Sequence, residues 1–157
     1  MALDSVYTID SSNATPYTAD RKTDEKSGND IFKAQGGVAN RSGFGRVVLS
    51  KRGAVHTVHH GNGPANQAAF PAIKAVIEHG IEIYRDNNHN GQGYDTITFA
   101  APITLFGEEA PLAVVVKAFE SANSDKTFYI HEICDAEGNY IQMTEESPNK
   151  KPAAPTS

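Results

Sequence analysis

Cysteine is nearly absent: Cys134 is the single one in 157 residues. That excludes an internal disulfide framework and any cysteine-based zinc site, and it suits a reducing compartment. Set in "FYIHEICD", Cys134 reads as a small buried strand residue rather than a nucleophile. Long apolar runs are absent too, so no membrane span is expected. The first residues lack the basic region and apolar run of a secretory signal, so the chain itself directs no export. What is present is ordinary for a soluble globular protein, with 39% hydrophobic and 21% charged residues. The length suits one domain with one core.

Charge is unevenly spread. The formal net charge is -5, which argues against indiscriminate nucleic-acid binding. Yet between Val38 and His60 there is no acidic residue, while Arg41, Arg46, Lys51, Arg52, His56, His59 and His60 all fall there. From Glu120 to Glu146 the chain is mostly acidic. A locally basic cleft on an acidic body is compatible with an RNA substrate; a solvated basic loop fits the same charges.

Residues 1–27 are rich in Ser, Thr, Asp and Asn and read as a polar linker or arm. The tail 147–157, "SPNKKPAAPTS", reads as a disordered Pro-rich segment, and both ends look like joints within a larger polypeptide. Between them, 28–146 is expected to form the domain. "NDIFKAQGG" predicts a short helix capped by Asn29 and ended by Gly36 and Gly37. "RVVLS" predicts a short strand. From Pro64 to His79, Ala69, Ile73, Val76 and Ile77 share one face at helical spacing, with Gly80 in the place of a C-terminal cap. Then the period becomes two: "IEIYR", "TITFAAPITLF", "PLAVVVKAF", "TFYIHEIC" and "NYIQM" are separated by loops too short for parallel crossovers. The expected fold is α+β, with N-terminal helices packed on a four- to five-stranded antiparallel β-meander whose other, threonine-bearing face stays open.

The densest chemistry is "SKRGAVHTVHHG", which places Lys51, Arg52, His56, Thr57, His59 and His60 within ten residues. Cleaving RNA through its own 2'-hydroxyl needs a base, an acid and a cation for the phosphorane. His56 and His60 with Lys51 or Arg52 would supply all three. A metal site at His56 and His60 is an alternative, but the cluster has no Cys, Asp or Glu to complete it. Imidazoles that only hydrogen-bond loop backbone are the structural alternative. "NNHNGQGYD" resembles neither a P-loop nor a dinucleotide fingerprint, although Tyr94 could reach a substrate from the strand mouth. Lys117 and His131 each interrupt an apolar strand. They are expected either as satisfied edge residues or on the open face beside His56 and His60.

"GGVANRSGFGRVVLSKRGAVHTVHHGNG", the helix ending "VIEHG", "GQGYDTITFAAPITLFGEEAPLAVVVK" and "FYIHEI" together resemble the C-terminal nuclease-like domains of phage and conjugative-element polyvalent proteins. That family is grouped with the barnase-EndoU-colicin-RelE superfamily, and the resemblance runs roughly from Asn29 to Met143. Its pattern falls on Thr57, on His60 and Gly61, on Gly93, Tyr94 and Asp95, and on Ile130, His131 and Glu132. The chain departs from it in carrying His56 and His59, and in having Gln67 where a lysine is expected. The resemblance implies a toxin-type, metal-independent ribonuclease that needs no cofactor and has an RNA substrate. A cognate immunity protein is a candidate partner, and the cytoplasm of a producing or target cell is the expected location. The expected catalytic residues are His56, His60, His131 and Lys117, with Lys51, Arg52, Thr57, Tyr94 and Thr98 on the substrate. The reading from another class is a catalytically inactive protein- or nucleic-acid-binding module of the same fold. DNA cleavage or nucleotide transfer in the same groove is a third.

Overall fold

The structure is a computed structural model, and it describes residues 4–59, 63–87, 91, 93–119 and 126–133. His60, Cys134, "NYIQM" and the Pro-rich tail lie outside the described residues.

The segment read as a polar arm is built into the fold. β1 (Thr8–Ile9) runs parallel to a later strand, and Ile9 is fully buried. Asp20, not Asn29, caps α1 (Arg21–Ala34): its carboxylate accepts the Thr23 N–H at 3.0 Å, satisfying a donor that the first helical turn leaves open. The expected stop holds. Gly36 and Gly37 have φ of 91° and 76°, and the Gly37 N–H bonds back to the Phe32 carbonyl at 2.8 Å, an ending that favours glycine. The helix was read too short because its first turns carry few apolar residues; only Asp24, Gly28 and Phe32 are buried.

β2 (Val38–Arg41) and β3 (Gly45–Val48) form a hairpin. The histidine-rich segment that follows is a helix, α2 (Lys51–His59). The expected long helix is broken into α3 (Pro64–Ala68), a 3-10 turn at Phe70–Ala72 and α4 (Ile73–His79). Pro71 lies at the break, and proline has no N–H to continue the helical ladder. Ala69, Ile73, Val76 and Ile77 are nonetheless all fully buried. Gly80 earns its place through close approach rather than dihedral freedom, since a Cβ there would lie 2.6 Å from the Val76 carbonyl and 2.8 Å from that of Ala100.

β4 (Ile81–Asp86), β5 (Tyr94–Leu105), β6 (Glu108–Phe119) and β7 (Lys126–Ile133) follow, the last three each antiparallel to the strand before. Among the described residues the strands form a mixed seven-stranded sheet in the order β1-β5-β6-β7-β3-β2, with β4 also on β5. It therefore exceeds the expected four- to five-stranded antiparallel layer, and β1–β5 and β3–β7 are parallel pairs. The sheet curls. Arg41 at the end of β2 donates to the carbonyls of Ile77 and Gly80 at 2.9 and 2.8 Å and lies 4.2 Å over the Phe99 ring of β5. Two strands so far apart in the order meet one ring only if the sheet bends around α4. Within the bend, Phe32 packs edge-on against Phe70 and Phe128 at 5.6 and 5.3 Å, beside Ile97, Phe99, Ile103, Leu112, Val114 and Val116.

β3 covers only the start of β7, pairing with Lys126 and Thr127. Beyond that point α2 and α3 take its place. The Thr57 hydroxyl accepts the His131 N–H at 3.2 Å, and the Asn66 side chain accepts the Ile133 N–H at 2.7 Å. A strand edge that would otherwise carry unpaired donors is thus covered by helices. Gly53 lets α2 approach: a Cβ there would lie 2.7 Å from the Phe128 carbonyl oxygen.

Candidate functional site

The register of β7 decides which side chains face which way. Val115 of β6 pairs with Ile130, while Val116 pairs with Phe128, so Tyr129 is an extra residue in a bulge. Tyr129 and Ile130 consequently share one face with Val115 and Ala113, forming a second apolar cluster. His131, paired with Val114, is turned into the main core beside Phe128.

His131 therefore does not border an open groove as one alternative held; it is fully buried. Its ring meets Phe70 edge-on at 4.7 Å. Nε2 lies 2.8 Å from the Asn66 carbonyl, which can only accept, so Nε2 carries the proton. Nδ1 lies 3.3 Å from the Thr57 hydroxyl, which donates to it. Burial pushes the imidazole down from 6.5 to about 4, the Asn66 bond only partly opposing it. Thr57 is spent on this same network and is buried. Thr98 is 1% exposed and Thr96 6%, so the threonine-bearing face is not open as expected, and Thr98 is withdrawn from solvent. Gln67, at the position where a lysine is expected, is also buried and donates to the Asp24 carbonyl at 3.1 Å.

The remaining candidates converge at the rim. Arg52, His56 and His59 recur at i, i+4 and i+7 on one face of α2, where such residues are neighbours. With Val55 and Lys117 of β6 they line a cleft of about 480 Å³. An inner pocket of about 110 Å³ adjoins it and shares Arg52, His56 and Lys117; its other walls include Ser50, Phe119, Thr127 and Tyr129. Tyr129 organises the junction. The His56 ring meets it edge-on at 4.6 Å, and the Lys117 ammonium sits 4.2 Å over its face and 4.6 Å over that of Tyr94, contacts that hold a cation over aromatic quadrupoles. Lys117 pairs across the sheet with Thr96, so it does lie on the threonine-bearing side, at its rim. Tyr94 is buried beneath it. At the outer margin His59 Nε2 lies 3.5 Å from a Glu25 carboxylate oxygen. Lys51 turns away, lining a separate groove of about 410 Å³ with Lys22, Lys26 and Lys33 of α1.

Sequence reasoning passed over Phe119 and Tyr129. Alternation in β6 carried the signal for Phe119, which shares a face with Lys117. For Tyr129 it lay in β7, where Thr127 and Tyr129 alternate onto the face of Lys117, the residue that pairs with Thr127. Among the described residues no group of three His, Cys, Asp or Glu side chains could hold a metal ion, and no helix is long and apolar enough to cross a membrane.

Fold and cleft together define a small mixed α/β domain with a cationic, aromatic-backed cleft where α2 meets the rim of the sheet. The model of the family described as large polyvalent protein-associated domain 3 matches residues 20–129, and the chain belongs to that family. A polyvalent-protein domain fits a part of a larger polypeptide. No curated protein and no solved structure matches the chain.

Proposed function

We propose that this domain is an endoribonuclease that cleaves RNA by general acid-base catalysis in the cleft between α2 and β6. One observation carries the reading: two imidazoles, His56 and His59, share a cleft of about 480 Å³ with the cations Arg52 and Lys117. One imidazole takes the proton of a 2'-hydroxyl, whose oxygen attacks the adjacent phosphorus. A second imidazole gives its proton to the departing 5'-oxygen, leaving a 2',3'-cyclic phosphate. Lys117 and Arg52 balance the charge of the phosphorane. His59, the last residue of α2, and His60, the next residue in the chain, compete for the second role. The resemblance to the barnase-EndoU-colicin-RelE superfamily supports the same chemistry, without metal or cofactor. His131, Thr57 and Thr98 are omitted from it, because their burial makes them parts of the scaffold.

The test is incubation of the purified chain with total RNA and with DNA, with and without chelator. Chelator-resistant cutting of RNA alone is the expected result. His56→Ala combined with His59→Ala or His60→Ala should lower it roughly a hundred- to ten-thousand-fold, with thermal unfolding nearly unchanged because His56 and His59 are not core residues. Undiminished cutting by both double variants would refute the assignment. RNA binding without cutting by the unaltered chain would instead favour the inactive binding module.

A further inference from the structure

Phe119 ends β6 with 44% of its surface exposed, and it belongs to neither apolar cluster. Core packing therefore does not account for a large aromatic ring at this position. The Tyr94 ring lies beside it at 5.6 Å. Phe119 lines the inner pocket together with Arg52, and the hydroxyl-bearing Ser50 and Thr127 line it as well. An exposed aromatic ring and a guanidinium plane are the two surfaces on which proteins stack unpaired bases. The pocket, about 110 Å³, has room for one small planar ring. It opens onto the larger cleft through Arg52, His56 and Lys117, which line both.

We propose that the inner pocket seats one unpaired nucleobase, stacked on Phe119 with Arg52 beside it, while the adjoining phosphate lies in the larger cleft. The proposal rests on the reading of that cleft as a phosphodiester site, and adds that the ligand must be a nucleotide whose base is free to leave its stack. A base-paired strand offers none. Ser50 and Thr127, in the lining of the same pocket, carry the hydroxyls that would bond the polar edge of the base.

The test is a set of binding titrations of the full chain with ribose 5-phosphate, nucleoside 3'-monophosphates, a short single-stranded oligoribonucleotide and a duplex of the same sequence. At least one nucleotide should bind about tenfold or more tighter than ribose 5-phosphate, and the single strand tighter than the duplex. Phe119→Ala should remove about tenfold of nucleotide affinity, the scale of one stacked base, while changing ribose 5-phosphate affinity less than about twofold. Phe119→Trp should restore it. Because Phe119 is exposed, both variants should keep the unfolding temperature of the parent. Nucleotide and ribose phosphate binding alike, or a Phe119→Ala variant that loses nothing, would overturn the base seat. If ribose phosphate still binds and Lys117→Met abolishes that binding, the phosphodiester reading survives the loss. Absence of binding by every ligand overturns both.

Discussion

Acid should weaken this domain through His131 over a defined window. The unfolded imidazole takes a proton near 6.5, whereas burial holds the folded one down to about 4. Between those values the unfolded chain binds more protons, so stability rises with pH there and is lost as pH falls. The gap of about 2.5 pH units, at about 1.4 kcal/mol for each, amounts to about 3 kcal/mol. The loss begins near pH 6.5, is nearly complete at pH 4, and this group adds nothing below that. Set against the 5–15 kcal/mol typical of a folded domain, roughly a third of the stability hinges on one neutral ring. The assay is urea unfolding from pH 7 to pH 4 for the parent chain and for His131→Gln. Carboxylates titrate in both, so the stability difference between them isolates the imidazole. The parent should lead the variant by about 3 kcal/mol more at pH 7 than at pH 4. A pH-independent difference, or a His131 resonance titrating near 6.5 in the folded protein, would refute the buried neutral assignment.

Two further changes probe how the cleft is supported. Gly53→Ala, which in an exposed helix would stabilise by up to about 1 kcal/mol, should here cost about 1–3 kcal/mol in urea unfolding, because the new methyl meets both the Phe128 ring, itself locked in the core, and the Phe128 carbonyl oxygen; RNA cleavage should fall with it as α2 is pushed outward. Among the described residues the buried Tyr129 hydroxyl has no hydrogen-bond partner, so Tyr129→Phe should raise stability by about 1 kcal/mol, and a loss of stability would show that the hydroxyl is bonded after all.

The pattern of apolar residues, by itself, determined a great deal of this protein. Period-two alternation from Ile81 onward marked the strands that became β4 to β7, and it placed Ile97, Phe99 and Ile103 together in the core. The spacing of Ala69, Ile73, Val76 and Ile77 marked a buried helical face. The chain composition marked the stretch around His56 as its basic centre. These are local signals, since the chain's own periodicity fixes which side chains share a face. Other features had to await the tertiary structure. The polar start of the chain gave no sign that Ile9 would be buried along β5, because a two-residue strand has no period to read. Nor did "FYIHEI" reveal a bulge, and that one extra residue put Ile130 on the face of Tyr129 and turned His131 into the core, away from the open face that one alternative gave it. Whether a histidine is a solvent-facing acid or a neutral strut depends on the groups around it, and for His131 those are Thr57, Asn66, Phe70 and Phe128, brought there from four separate elements. Residue type gave each imidazole its chemical capacity; only burial and long-range pairing decided which could use it.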